Sequence, residues 1–297
     1  MQSLTNRESF FKAKKIIKDN KFKINDEEIY LLLISINNFK NYTELVLNFD
    51  KTIANPISFL KKIREIGAGK PIQYVIGYED FCGLRINVNK NTLIPRPETE
   101  ELVNKIIKII NENNILHNNI GDVCTGSGCI ALSLKNNFKD SKVYGSDKYI
   151  KTLNTAIKNK DALNLDVEFF KGSLLKPFIE RKIKLDVLVS NPPYIENLND
   201  IEKNVSENEP MHAVYIKNGT YFYENFFKVY ENIMNEKFMM AFEINYDQET
   251  VLTKLIKKYF NEESISYKFE KDFYGKTRFL FIFRGYKYGN FNKKWCK

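Results

Sequence analysis

The sequence predicts an α/β protein: an open, mostly parallel sheet covered by helices on both faces, preceded by a small all-helical domain. Three observations carry that expectation. From about residue 120 onward, short apolar runs alternate with helical stretches, the pattern left by successive βαβ units. Before Gly77 the apolar residues recur only at helical spacing. A glycine loop joins the first apolar run to a helix, at the end of the strand where such sheets open toward ligands.

The elements follow in order. Phe10, Phe11, Ala13, Ile16 and Ile17 recur at helical spacing, and Ile29, Leu31, Leu32, Leu33 and Ile36 mark a second helix over 27–36. A third, 57–66, begins just after Pro56, which suits a helix start. Residues 1–77 therefore read as a helical domain. Residues 78–92 form a short extended linker or hairpin, extended over 81–88, and 93–297 form the α/β domain. That domain opens on Leu93-Ile94-Pro95-Arg96-Pro97-Glu98-Thr99-Glu100 and an apolar helix through Ile110. Pro97 and the acidic residues suit a first helical turn. Arg96, Glu98 and Glu100 read either as that turn's favourable charges or as a lid beside a ligand. Strands are expected at 120–123, 143–146, 167–170, 185–190, 238–244, 264–269 and 279–283, with helices between most of them. The lysine-rich tail after Arg284 reads as poorly ordered.

Composition excludes several chemistries. The four cysteines, Cys82, Cys124, Cys129 and Cys296, form no C-x-x-C pair, and the two histidines, His117 and His212, have no metal-ligand spacing. Disulfides, structural zinc and zinc hydrolysis are therefore not expected, and no metal is. The N-terminal residues are polar and no apolar run is long enough to span a bilayer, so the expectation is a cytoplasmic protein without a membrane partner. The net charge of +9 fits either an acidic partner or lysines spread over a solvated surface. No block of five consecutive basic residues occurs, which favours the second reading.

The first strand of the sheet runs into Asp122-Val123-Cys124-Thr125-Gly126-Ser127-Gly128-Cys129-Ile130-Ala131. Its glycines allow a sharp turn and close approach of a ligand, and the N–H groups of the following helix face that ligand. Asp147, at the end of the second strand, lies where a carboxylate binds ribose hydroxyls. These features point to a nucleotide-type cofactor and leave NAD and S-adenosylmethionine both open.

The most informative stretch is Asn191-Pro192-Pro193-Tyr194, entered directly from the fourth strand. Two prolines stiffen the turn and remove two backbone donors. The Asn191 side-chain carbonyl and the Pro192 backbone carbonyl can then accept the two hydrogens of an NH2 group, and Tyr194 offers a face to a flat π system. A planar amide or aromatic amine is a poor nucleophile because its lone pair is delocalised. Two acceptors placed out of that plane favour a pyramidal nitrogen and so stabilise the transition state over the ground state. No histidine or cysteine is needed.

These segments resemble the release factor glutamine methyltransferase family, the bacterial N5-glutamine methyltransferases. The resemblance covers nearly the whole chain. It is carried by 69–77 (Gly-Lys-Pro-Ile-Gln-Tyr-Val-Ile-Gly), 93–100, 122–131 and 191–194, with support from Glu209-Pro210, 243–248 and 271–276. It implies a Rossmann-like class I S-adenosylmethionine methyltransferase sheet of seven strands with the last reversed, and a helical domain that docks the acceptor. It further implies transfer of methyl from S-adenosylmethionine, leaving S-adenosylhomocysteine, to the glutamine of the Gly-Gly-Gln motif of class-one peptide chain release factors. By carry-over, Cys124, Thr125, Gly126, Ser127 and Gly128 wrap the methionine part and Asp147 the ribose. Ser173 and Leu174 lie by the adenine. Asn191 touches cofactor and acceptor, with Pro192, Pro193 and Tyr194 completing the glutamine pocket; Asn191, Pro192 and Tyr194 carry catalysis. Three positions depart from the family pattern. Cys124 stands where a glycine is frequent and is expected at negative φ. Ser173 stands for a common acid, and Asn245 for a glycine. The competing reading is an adenine-N6 methyltransferase of nucleic acid, which would use the same pocket. Such enzymes flip the base and usually carry a target-recognition domain. The helical residues show no basic stripe with interleaved aromatics, so stable nucleic-acid binding is not expected.

Overall fold

Apolar runs too short for helices become buried strands here. In the computed structural model, which describes residues 4–286, a hairpin of β1 (Tyr78–Phe81) and β2 (Leu84–Asn87) precedes seven further strands. These are β3 (Asn119–Val123), β4 (Lys142–Asp147), β5 (Val167–Lys171), β6 (Leu185–Ser190), β7 (Met234–Glu243), β8 (Ile265–Lys271) and β9 (Thr277–Arg284). They make one sheet in the order β5-β4-β3-β6-β7-β9-β8. Neighbours from β5 to β7 are parallel, and β9 runs antiparallel to both β7 and β8. The expected reversed strand is therefore β9, and it lies inside the sheet. The lysine-rich tail falls largely in 287–297, outside the described residues.

All six residues of β6 are buried, as expected of a parallel strand covered on both faces. The helix Thr220–Val229 packs Phe222, Phe226 and Phe227 into a core with Phe242 of β7 and Phe260. Full burial of one such ring stabilises by roughly 1.5–3 kcal/mol relative to exposure. β7 begins four residues before the expected Phe238, through the polar Asn235-Glu236-Lys237. A register shift opposite β6 accompanies that start, and the Asn235 side chain donates to Asp186 Oδ1 at 2.6 Å. A side chain, not apolar alternation, holds this stretch in the sheet.

The chain divides into two compact units. In the first, helices Asn6–Asn20, Asp26–Asn37, Tyr42–Leu47, Pro56–Gly67 and Ile72–Ile76 surround Ala13, Ile29, Leu32, Leu33, Leu45, Phe59 and Ile63. Thr5 with Glu8 and Asn25 with Glu28 form capping boxes at the first two helix starts, each satisfying N–H groups that the helix leaves open. The short helix Lys203–Asn208 groups with this unit, where Asn208 Nδ2 donates to the Gly69 carbonyl at 3.0 Å. The second unit holds the hairpin's remainder, the sheet and its helices. No described helix is long and apolar enough to cross a membrane.

Candidate active site

The carboxyl ends of the parallel strands surround a cavity of about 300 Å³. Its wall draws on 93–96 and Thr99, the glycine loop, Asp147 after β4, 172–174 after β5, Asn191 and Pro193 after β6, and Tyr215 with its neighbours.

The glycine loop owes its shape to Asp122. This β3 residue is fully buried, and its Oδ2 accepts from Thr125 Oγ1 at 2.6 Å and from Ala131 N at 3.2 Å. Burial pushes its carboxyl up to about 7, against the pull of those two donors. Cys124 adopts φ 62°, so the expectation of negative φ was wrong: the loop needs a left-handed residue there, and cysteine occupies it at the strain a Cβ brings. A Cβ on Gly126 (φ 59°) would meet only the Cys124 carbonyl oxygen, at 3.9 Å, whereas a Cβ on Gly128 (φ 83°) would lie 3.1 Å from Ala156 and Phe169. Gly126 therefore leaves room above the loop. Gly128 lets helix Cys129–Asn137 close against its neighbours, and it is not part of the cavity wall.

Asp147 ends β4 at 8% exposure. Its Oδ2 accepts from Gly126 N at 3.2 Å and its Oδ1 from Tyr149 N at 2.9 Å. Burial raises its pKa while these backbone donors lower it. A carboxylate has about four acceptor positions, so capacity for hydroxyl donors remains. Ser173 and Leu174 both line the cavity, Leu174 at φ 52°. His212, which has no metal-ligand spacing, packs at a 40° tilt against Tyr149 at the wall, with ring centroids 3.9 Å apart.

At the Asn-Pro-Pro-Tyr turn, Asn191 and Pro193 line the cavity, Pro192 is buried, and neither Pro192 nor Tyr194 belongs to the wall. Asn191 Nδ2 donates to Thr99 Oγ1 at 2.9 Å, and Thr99 Oγ1 donates to Glu243 Oε2 at 2.7 Å. The Tyr194 hydroxyl donates to Glu243 Oε1 at 3.1 Å. Beyond the turn, Ile195 pairs with Tyr215, which brings 213–216 alongside. Thr99 and Glu243 were not singled out in the sequence, although both lie in segments that carry the resemblance. The two are 144 residues apart, and no local pattern links them.

Of the charges opening helix Pro97–Asn113, Arg96 lines the cavity and pairs with the buried Glu209, whose Oε2 also accepts from Ile94 N at 3.0 Å. Glu100 instead accepts from Cys82 N at 2.9 Å. Arg96 thus ties Glu209 to one wall, while Glu98 and Glu100 lie outside that wall.

The family model of the methyltransferase small domain matches residues 102–251. The release factor glutamine methyltransferase of Bacillus cereus is 37% identical over 249 residues, covering 81% of this chain and 87% of its own. That of Flavobacterium psychrophilum is 37% identical over 259 residues, covering 84% and 89%. The chain belongs to the release factor glutamine methyltransferase family. It is therefore a methyltransferase, and solved structures agree on the fold. A Pyrococcus furiosus methyltransferase superposes with a TM-score of 0.50 at 19% identity, over 68% of this chain and 89% of its own. A Thermus thermophilus 16S rRNA methyltransferase solved with AdoMet and guanosine gives 0.50 at 14% identity, over 70% and 49%.

Proposed function

We propose that this methyltransferase moves a methyl group from S-adenosylmethionine to the side-chain amide N5 of the glutamine in the Gly-Gly-Gln motif of class-one peptide chain release factors. The observation that carries the acceptor chemistry is the Asn191 amide, tied by its nitrogen to Thr99 and so offering its oxygen to an N–H. Relatives named for release factor glutamine support the acceptor class.

S-adenosylmethionine, when bound, supplies an electrophilic methyl group. The residues present fit it: the space over Gly126 admits a ligand against the loop backbone, and the buried Asp147 carboxylate has acceptor capacity for a ribose diol. Cys124, Thr125, Ser127, Ser173 and Leu174 complete that side of the cavity. Gly128 acts by holding the loop's helix in place. Asn191 and the Pro192 carbonyl accept the two amide hydrogens and draw the nitrogen out of conjugation, which stabilises the transition state over the planar ground state. Tyr194, although outside the cavity wall in this structure, would complete the glutamine pocket from the turn, its hydroxyl anchored on Glu243. Residues 1–77 dock the release factor and 78–92 connect them to the methyltransferase domain, 93–297. The reaction belongs in the cytoplasm, where release factors work.

The test is incubation with methyl-labelled S-adenosylmethionine and a class-one release factor, beside a variant lacking the Gly-Gly-Gln glutamine, with DNA and RNA as parallel acceptors. Label on the intact factor and none on the variant is expected. Label on nucleic acid alone would overturn the acceptor and favour the adenine reading.

A further inference from the structure

We propose that Glu243 and Thr99 are positioning residues that decide which end of the Asn191 amide the acceptor meets, an inference that rests on the amide-nitrogen reading of the site. The two orientations of an asparagine amide occupy the same space and differ only in hydrogen bonding. Here the direction of a short hydrogen-bond chain settles the choice.

A threonine hydroxyl carries one hydrogen, and an ionised carboxylate only accepts. Glu243 Oε2 takes the Thr99 hydrogen at 2.7 Å. Thr99 Oγ1 is left able only to accept, and it accepts from Asn191 Nδ2 at 2.9 Å. Oδ1 of Asn191 must then be the atom turned away from Thr99. The same carboxylate accepts the Tyr194 hydroxyl through Oε1, so one buried charge orients both polar side chains of the turn. Glu243 is itself well fixed. It ends β7 opposite Phe279 of β9, it is 2% exposed, and its own carbonyl accepts from the Tyr223 hydroxyl at 2.9 Å.

The chain has one polarity only while Glu243 is charged. A neutral partner at 243 can donate to Thr99, whose hydrogen then turns toward Asn191. The amide is then stable with its oxygen on Thr99 and its NH2 toward an incoming NH2, where donor meets donor. The groups facing Glu243 set when this occurs. Burial pushes its carboxyl up to about 6, and Glu98 pushes in the same direction. Thr99, Tyr194 and Arg278 pull it down, and Arg278 is in turn held by Asp272 at 3.4 Å. The ionised form is required, so its contribution is present above that value and lost as pH falls through about 6.

The experiment compares wild type, Glu243→Gln, Thr99→Val and Thr99→Ser with a class-one release factor as acceptor. Each is also titrated with S-adenosylhomocysteine, whose affinity confirms a folded site. Glu243→Gln and Thr99→Val are expected to lower kcat roughly 10- to 100-fold, the scale for partners that orient a functional group, and Thr99→Ser to restore most of it. Wild-type kcat is expected to fall on an acid limb near pH 6 that Glu243→Gln lacks. Thr99→Val decides the matter if the Glu243 variant does not fold. Side-chain amide hydrogen exchange by NMR is read in parallel and needs no acceptor: an Asn191 Nδ2 hydrogen protected in wild type and unprotected in Thr99→Val supports the inference. Full kcat in both Glu243→Gln and Thr99→Val, or unchanged amide protection in Thr99→Val, overturns it. A wild type that leaves the release factor unlabelled fails the acceptor assignment instead, and the exchange measurement still decides the role of Thr99.

Discussion

Asn191 concentrates the proposed chemistry in one carbonyl oxygen. Asn191→Ala is expected to lower kcat by about 100-fold or more, the scale for losing one contact made to the transition state; single-turnover rates check it. Cys124 poses a different question, because it holds φ 62°, a region that disfavours side chains by roughly 1–2 kcal/mol. Cys124→Gly is expected to melt at the same temperature as wild type or up to about 4 °C higher, and Cys124→Val lower, by calorimetry. Asp122 gives a pH signature. Its folded carboxyl, pushed up to about 7, lies above its ordinary 3.8. The folded state therefore binds its proton more tightly, and stability declines as pH rises between those values. The stability of wild type relative to Asp122→Asn is expected to improve as pH falls from 8 to 5; a difference independent of pH would refute the shift. That 124–127, Asn191 and Pro193 meet at one cavity was legible from sequence, because both segments close strands of a parallel sheet, whereas the placing of Gly128, Pro192 and Tyr194 outside its wall was not. The left-handed φ at Cys124 was not, because a residue type does not state which backbone region the fold imposes on it.

The glycine loop shows how two identical residues come to serve different elements. Both glycines have positive φ, but only at Gly128 would a Cβ press on Ala156 and Phe169. Gly128→Ala is expected to lose roughly 2–4 kcal/mol from strain and overpacking together, seen as a lower denaturant midpoint with unchanged slope. Gly126→Ala is expected to lose less stability and more affinity for S-adenosylhomocysteine, because its Cβ would enter the space over the loop. Equal effects of the two on stability would count against this division. The centre of the sheet was readable as an apolar run, β6 above all, since a parallel strand buried on both faces leaves little room for polar residues. Two helices were not. Tyr42–Leu47 and Ile72–Ile76 have six and five residues, too short to display a helical period and stable only through their packing. The link from Thr99 in a helix to Glu243 at a strand end is tertiary, and no segment read alone contains it.

For the molecule as a whole, the docking role proposed for residues 1–77 would fall to a unit with its own core and apolar side chains left in solvent, Leu47 at 76% and Ile57 at 61% exposure among them. Leu47→Asp combined with Ile57→Asp is expected to raise KM for the release factor roughly five- to tenfold, the scale of an interface contact, with kcat unchanged. Steady-state kinetics that show no change in KM would remove these residues from the docking face. The sheet carries a consequence of another kind. β9 is the last strand in chain order among the described residues, yet it sits between β7 and β8. A chain made from its N-terminus at roughly 5–20 residues per second therefore exposes two unpaired strand edges, a template for misassembly, until Thr277–Arg284 emerges and fills the gap. Glu243 is one of the residues that strand pairs. The end of β7 that carries this carboxylate therefore gains its partner only once Thr277–Arg284 has joined the sheet.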